Sequence, residues 1–256
     1  MLALASKLVR MSDTLYLSLW YPNLRFAAMP DKLTAVLGAF AAHGGEPLVY
    51  AATVWPINWT ETPIFQRVYG RGDRGAEPRV AVEEALELLH EDYAYEFQIG
   101  WSLWELETGN AGPHSTSVAS TTFAQGRLST RPALHAGLAQ DDSSLVPAPA
   151  QEANLIGRWV REPRLVRVTG FGPLFDEGAY EQDGHIRIDF GTDTPFLEED
   201  AELQQVGARH VEENVRQLIE LTVAVEKESG ATARLLWSEL GESLAQRLAA
   251  RLGMGN

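Results

Sequence analysis

The sequence predicts an α+β protein with a ferredoxin-like βαββαβ first half, followed by a second ββαβα half that extends or adjoins the sheet. Three observations carry this. Short runs alternate apolar and polar residues with period two, longer stretches carry apolar stripes at helical spacing, and glycine, proline or Asp-Gly pairs separate them. A chain of 256 residues with 45% hydrophobic content buries one substantial core or two small ones.

Residues 1–12 read as a disordered leader. The apolar run is short, and Lys7 and Arg10 follow it, whereas an export signal places its cations first. Met11, followed by Ser12 and Asp13, is an alternative initiator. In "TLYLSLW" (14–20), Leu15, Leu17 and Leu19 share one face of a strand. "PDKLTAVLGAFAAHGG" then reads as a helix: Pro30 suits its first turn, Leu33, Val36, Leu37 and Phe40 form a stripe, and Gly44 and Gly45 end it. Strands follow at 47–55 and 63–70, a Glu-rich helix at about 79–97, and a strand at 99–107. Residues 13–108 thus form the ferredoxin-like half.

Residues 109–160 read as a mobile insertion or linker rich in Ala, Ser, Pro and Gly, with one small hairpin at "TTFAQGRLS". The second half, 161–256, opens with "RLVRVTGF" (164–171) and "HIRIDFG" (185–191). The segment between them ends in Asp183-Gly184, a turn signal, so the pair reads as a hairpin with a long tip. A helix over 206–229 carries Val211, Val215, Leu218, Thr222 and Val225 on one side. A strand to about Ser238 follows, then a last helix in which Leu240, Leu244, Leu248 and Leu252 recur; Ser238 and Glu239 suit its cap.

Composition narrows the function. With 35 acidic against 21 basic residues the net charge is −14, a field that repels nucleic acid and anionic lipid and attracts basic partners. No run approaches a membrane span, and the absence of cysteine excludes disulfides and thiolate metal sites. The expected location is the cytoplasm.

The candidate chemistry is sparse. Strand alternation puts His185, Arg187 and Asp189 on one face, which reads first as a solvated sheet face and becomes an acid/base site only if other strands build a pocket over it. Arg67, Arg71, Arg74 and Arg79 crowd one window; the plainer account is a solvated loop balancing the Glu-rich helix after it, and the alternative is a clamp for an anion. Gly70, Gly72 and Gly75 fit G-x-G-x-x-G, but Pro78 intervenes before the helix and no strand with an acidic end follows, so no dinucleotide is expected. Acidic residues at 176, 177, 183, 189, 193 and 198–200 do not have the spacing of a calcium loop, and His210 with Glu213 lacks further ligands. No metal or cofactor is expected. Of seven tryptophans, Trp20, Trp55, Trp59, Trp101 and Trp104 gather near first-half strands and read first as core; the alternative is an aromatic-lined cleft or partner anchor, for which Trp101 and Trp104 are the candidates for ligand contact.

The leading expectation is a non-catalytic, soluble binding protein of inhibitor or immunity type with a basic protein partner. The rival is a small-molecule enzyme using the arginine loop with His185, Arg187 and Asp189 for acid/base chemistry on an anionic substrate. A third reading makes the chain one subunit of a homo-oligomer.

Overall fold

The computed structural model describes residues 13–107, 158–197 and 205–239. The chain divides into two compact units, residues 1–105 with 159–256, and residues 106–158. The leader, the body of the insertion with its expected hairpin, and the last helix lie outside the described residues.

The described strands form one seven-stranded sheet. They are β1 (Thr14–Trp20), β2 (Gly45–Pro56), β3 (Phe65–Val68), β4 (Tyr93–Glu107), β5 (Arg158–Phe171), β6 (Ile186–Thr192) and β7 (Ala233–Ser238). Their order is β3-β2-β4-β5-β6-β1-β7. Strand β1 pairs antiparallel with β6 and β7, β2 with β3 and β4, and β5 with β6. The fold is therefore α+β with an antiparallel sheet, and both halves of the chain contribute to it.

The pairing differs from a ferredoxin-like unit. A split βαβ leaves one strand between its two parallel members; here β4, β5 and β6 all separate β1 from β2. The reason is register. Leu17 faces Ile188 and Leu19 faces Ile186, so β6 continues the apolar face of β1, and β7 occupies the other edge. Both edges of β1 are thus taken by the second half.

The helices α1 (Met29–Ala42), α2 (Pro78–Ala85) and the long α5 (Gln205–Ser229) are joined by two short turns, α3 (Tyr180–Asp183) and α4 (Thr194–Leu197). α1 packs on β2, α2 and α5. Under it Leu15, Leu17, Leu19, Phe97, Ile186, Ile188 and Phe190 form the main core with Leu33, Val36, Leu37 and Phe40. α2 is much shorter than the predicted 79–97 helix. From Tyr93 the chain pairs with β2, Tyr93 against Pro56 and Phe97 against Ala52, and alternating burial of Tyr95, Phe97 and Ile99 outweighs local helix propensity.

Two polar side chains on α5 finish the sheet. The register with β2 ends where Trp101 pairs with Gly45 and the Ser102 N–H donates to the Gly44 carbonyl at 3.0 Å. Asn214, wholly buried, follows on from it: its Oδ1 accepts from the Trp104 N–H at 2.9 Å and its Nδ2 donates to the carbonyls of Trp104 (2.8 Å) and Pro195 (2.9 Å). Gln217 Nε2 donates to the carbonyls of His43 (3.0 Å) and Ser102 (3.2 Å). Gly44, at φ +79°, cannot carry a Cβ because it would collide with that amide.

Asn214→Leu strips three backbone groups of their partner at a buried site. Each orphaned group costs about 1–3 kcal/mol, so urea denaturation should show a loss of at least about 3 kcal/mol. A loss under about 1 kcal/mol would mean that the strand extension does not depend on this amide.

Candidate functional site

The sheet has one face under helices and a second that carries the polar alternates. Arg187 and Asp189 of β6 stand on this second face, beside Ser18 and Tyr16 of β1 and Thr169 and Arg167 of β5. Arg167 Nη1 lies 3.1 Å from Asp189 Oδ2, and Asp189 Oδ1 accepts from the Gly191 N–H at 2.8 Å. Arg187 is ion-paired with Asp183, and its guanidinium carbon lies 5.3 Å from the ring centroids of Tyr16 and Phe171 and 5.9 Å from Trp59. Tyr16 in turn stacks on Trp237 and donates to Glu239 Oε1 at 2.8 Å; burial, helped by that carboxylate, pushes its phenol up to about 12.

His185 is engaged elsewhere. Its Nδ1 accepts from the Tyr21 N–H at 3.3 Å, and its ring lies edge-on to Tyr21 and tilted against Tyr180. Asp189 is four residues further along the strand, roughly 13 Å at the strand rise. Each member of the expected row therefore has its own partner, and no His–carboxylate pair forms within it. Burial lowers the His185 pKa below 6.5.

The arginine window does not reach this row. Arg67 pairs in register with Ala52, on the helix side of the sheet, and is bound to Glu84 at 3.0 Å. Three strands separate β3 from β6. Arg71 lies over Tyr50 at 5.9 Å, Arg74 is exposed, and Arg79 pairs with Glu83 at 2.8 Å. Trp101 is a core residue, in contact with Phe40, Phe190 and Phe196, and its Nε1 donates to the His43 carbonyl at 2.9 Å. Trp104 packs on His210 at 4.0 Å, with Arg161 over it at 6.0 Å. His210 is thus an aromatic neighbour on α5. Among the described residues no group of three or more His, Asp or Glu is placed to hold a metal ion.

Glu96 went unnoticed in the sequence because its segment read as helix. Paired with Thr53, it stands on the second sheet face. Burial raises its pKa; Asp189 adds to the rise, while Arg167, Gln98 and Arg187 oppose it.

The other feature invisible in the sequence is the convergence of four loops at the His185 end of the sheet: residues 21–28, 57–64, 86–92 and 172–185. Backbone bonds lace them together. The Ile57 N–H donates to the Asp92 carbonyl, Asp176 to Ile57 and Leu174 to Glu91, at 2.7–2.9 Å. The 172–185 loop folds back so that Phe171 and Phe175 pack with Ala94, Trp55, Trp59 and Tyr180 as a small second core. Among the described residues, the non-glycine residues with positive φ, Asn23, Ile57, Asp176 and Glu177, all belong to these loops. For β-branched Ile57 at φ 58° this is real strain. Ile57 and Leu174, each 58% exposed, and Leu88 at 74%, project there. Within their own segments the loops carry Glu61, Glu87, Glu91, Asp92, Asp176, Glu177, Glu181 and Asp183 against Arg25, a net charge of −7 of the chain's −14, with Asp183 paired to Arg187 of β6.

No protein-family model matches the chain, and no curated protein or solved structure matches it. The loop end combines a strained backbone, solvent-facing apolar side chains and an acidic surplus, beside a sheet face whose charges are paired with one another.

Two pH effects follow. The folded state resists ionising Glu96, so stability is lower above its raised pKa and is regained as pH falls toward 4.5. Glu96→Gln should raise the Tm at pH 8 and leave it nearly unchanged at pH 4; an unchanged or lower Tm at pH 8 contradicts the burial argument. For His185 the folded pKa is depressed, so below pH 6.5 the unfolded chain takes up a proton that the fold refuses, and stability falls. His185→Gln should flatten the loss between pH 7 and pH 5 in urea titrations; a slope equal to wild type would assign the loss to other groups.

Proposed function

We propose that this protein is a non-catalytic binding protein that recognises a basic protein, in the manner of an inhibitor or immunity protein, through the four loops at the His185 end of its sheet. The observation that carries this reading is the coincidence, on one end, of half the net charge with exposed Ile57, Leu88 and Leu174. Apolar anchors ringed by carboxylates suit a cationic surface: the anchors supply contact area, and the field speeds encounter and selects the sign of the partner. The strained backbone of Ile57, Asp176 and Glu177 fits a surface whose shape is held for recognition.

The acid/base enzyme reading has less support. Asp189 and Arg187 are neutralised by Arg167 and Asp183, His185 has no carboxylate partner within its row, and the arginine window is at the other side of the sheet. The absence of cysteine suits action in a reducing compartment, the cytoplasm by the simplest account.

The test is a pull-down from cell lysate at low and high salt, with mass spectrometry of what is retained. Wild-type protein should hold a basic protein at low salt and release it near 1 M, where screening shortens the field to about 3 Å. Glu61→Lys, Glu91→Lys and Glu181→Lys together take the loop charge from −7 to −1 and should abolish retention. Glu220→Lys with Glu228→Lys, on the exposed side of α5, should not. Retention by the loop variant, or equal loss in the α5 variant, would overturn the reading.

A further inference from the structure

Between two of these loops lies a cavity of about 290 Å³, lined by Tyr21, Asn23, Leu24, Phe26, Phe171, Pro173, Tyr180 and His185. Its size is near the lower end for ligand pockets, roughly 300 Å³, room for one long side chain and too little for a helix. We propose that this cavity receives an arginine side chain of the basic partner, held by stacking on its aromatic walls; the assignment rests on the binding reading above and names the group that is bound.

Four observations point to a guanidinium. Four walls are phenol or phenyl rings, whose faces attract cations, and rings in several orientations let a planar guanidinium stack on one while its stem lies along another. The fifth ring, His185, is a neutral imidazole, because its Nδ1 accepts the Tyr21 N–H, so it does not repel a cation. No lysine or arginine is among the lining residues. Two of these rings already have a cation beside them, Lys32 Nζ 5.2 Å from the Tyr21 centroid and held by the Ser229 carbonyl at 2.7 Å, and the Arg187 guanidinium carbon 5.3 Å from the Phe171 centroid and held by Asp183, so the stacking falls to Phe26 and Tyr180. Outside the cavity, the same two loops carry Asp176, Glu177 and Glu181 against Arg25, with Asp183 taken up by Arg187, and this acidic surplus favours a positive group. An anionic or purely aliphatic side chain would forgo both the rings' quadrupoles and this field.

The experiment is an NMR titration of the full chain, following aromatic side-chain resonances, with acetyl-arginine-amide against its neutral isostere acetyl-citrulline-amide. The arginine compound should bind in the millimolar range, with shifts centred on Phe26, Phe171, Tyr180 and His185, and the citrulline compound roughly tenfold more weakly. Tyr180→Leu should weaken arginine binding. Asn23→Asp, at an exposed position whose positive φ suits either residue, should strengthen it without disturbing the fold. Equal affinity for the two compounds, shifts spread over the acidic surface, or no shift at tens of millimolar would each overturn the assignment. The titration needs no partner protein. Its failure beside a salt-sensitive pull-down removes the cavity assignment alone, whereas loss of the pull-down removes the binding reading itself.

Discussion

Strand β1 takes both its partners from the far end of the chain, and most of the structure depends on that. Leu17 lies against Ile188 on one side and Leu236 on the other, with Leu19 against Ile186 and Arg234. More than 160 residues must be gathered before either edge is satisfied. The entropy of such a closure grows only slowly with loop length, but contacts so distant in sequence make folding slow. Once formed, the pairing ties the N-terminal strand into the middle of the β6-β1-β7 ribbon. It also places the loop after β1 beside the loop before β6, where Tyr21 and His185 meet.

The two faces of the sheet do different work. Helices α1, α2 and α5 cover one and enclose the main core. The other holds Glu96, Arg167, Asp189 and Arg187 across β4, β5 and β6, with Tyr16 and Phe171 alongside. Mutual pairing there satisfies most of the charge, and the strain left in it is the partly desolvated Glu96. Arg187 serves as the tie between this face and the loop above, since it bonds Asp183 while its guanidinium lies over Trp59 and Phe171. The loop end therefore rests on a stiff base: its backbone is fixed by hydrogen bonds among Ile57, Asp92, Glu91, Leu174 and Asp176, and its underside by aromatic packing. A rigid surface loses little entropy when a partner docks.

Sequence periodicity located most of the elements. The alternation of Leu15, Leu17 and Leu19, the stripe of α1 ended by Gly44, the His185–Asp189 strand with its apolar opposite face, and the long α5 are all local patterns, and the structure has each of them. The 86–97 stretch failed locally, because Leu86, Leu89 and the glutamates mimic a helix while the strand from Tyr93 is decided by β2 beside it. Glu96 was hidden by the same error. The tryptophans could be counted but not sorted: Trp101 became core because Phe40, Phe190 and Phe196 close around it.

What the sequence determined by itself is its α+β class, its acidic charge, the absence of cysteine chemistry, and the faces of its strongly patterned elements, since each depends only on composition or on neighbours a few residues away. Tertiary structure decided the strand order, and through it which loops share an end. A row of His185, Arg187 and Asp189 can be read from alternation, but whether its members act together depends on Tyr21, Asp183 and Arg167, which other segments deliver. The gathering of eight carboxylates, Ile57, Leu88 and Leu174 at one end has the same origin: four loops far apart in the chain meet there because an antiparallel sheet returns its strands to the same edge.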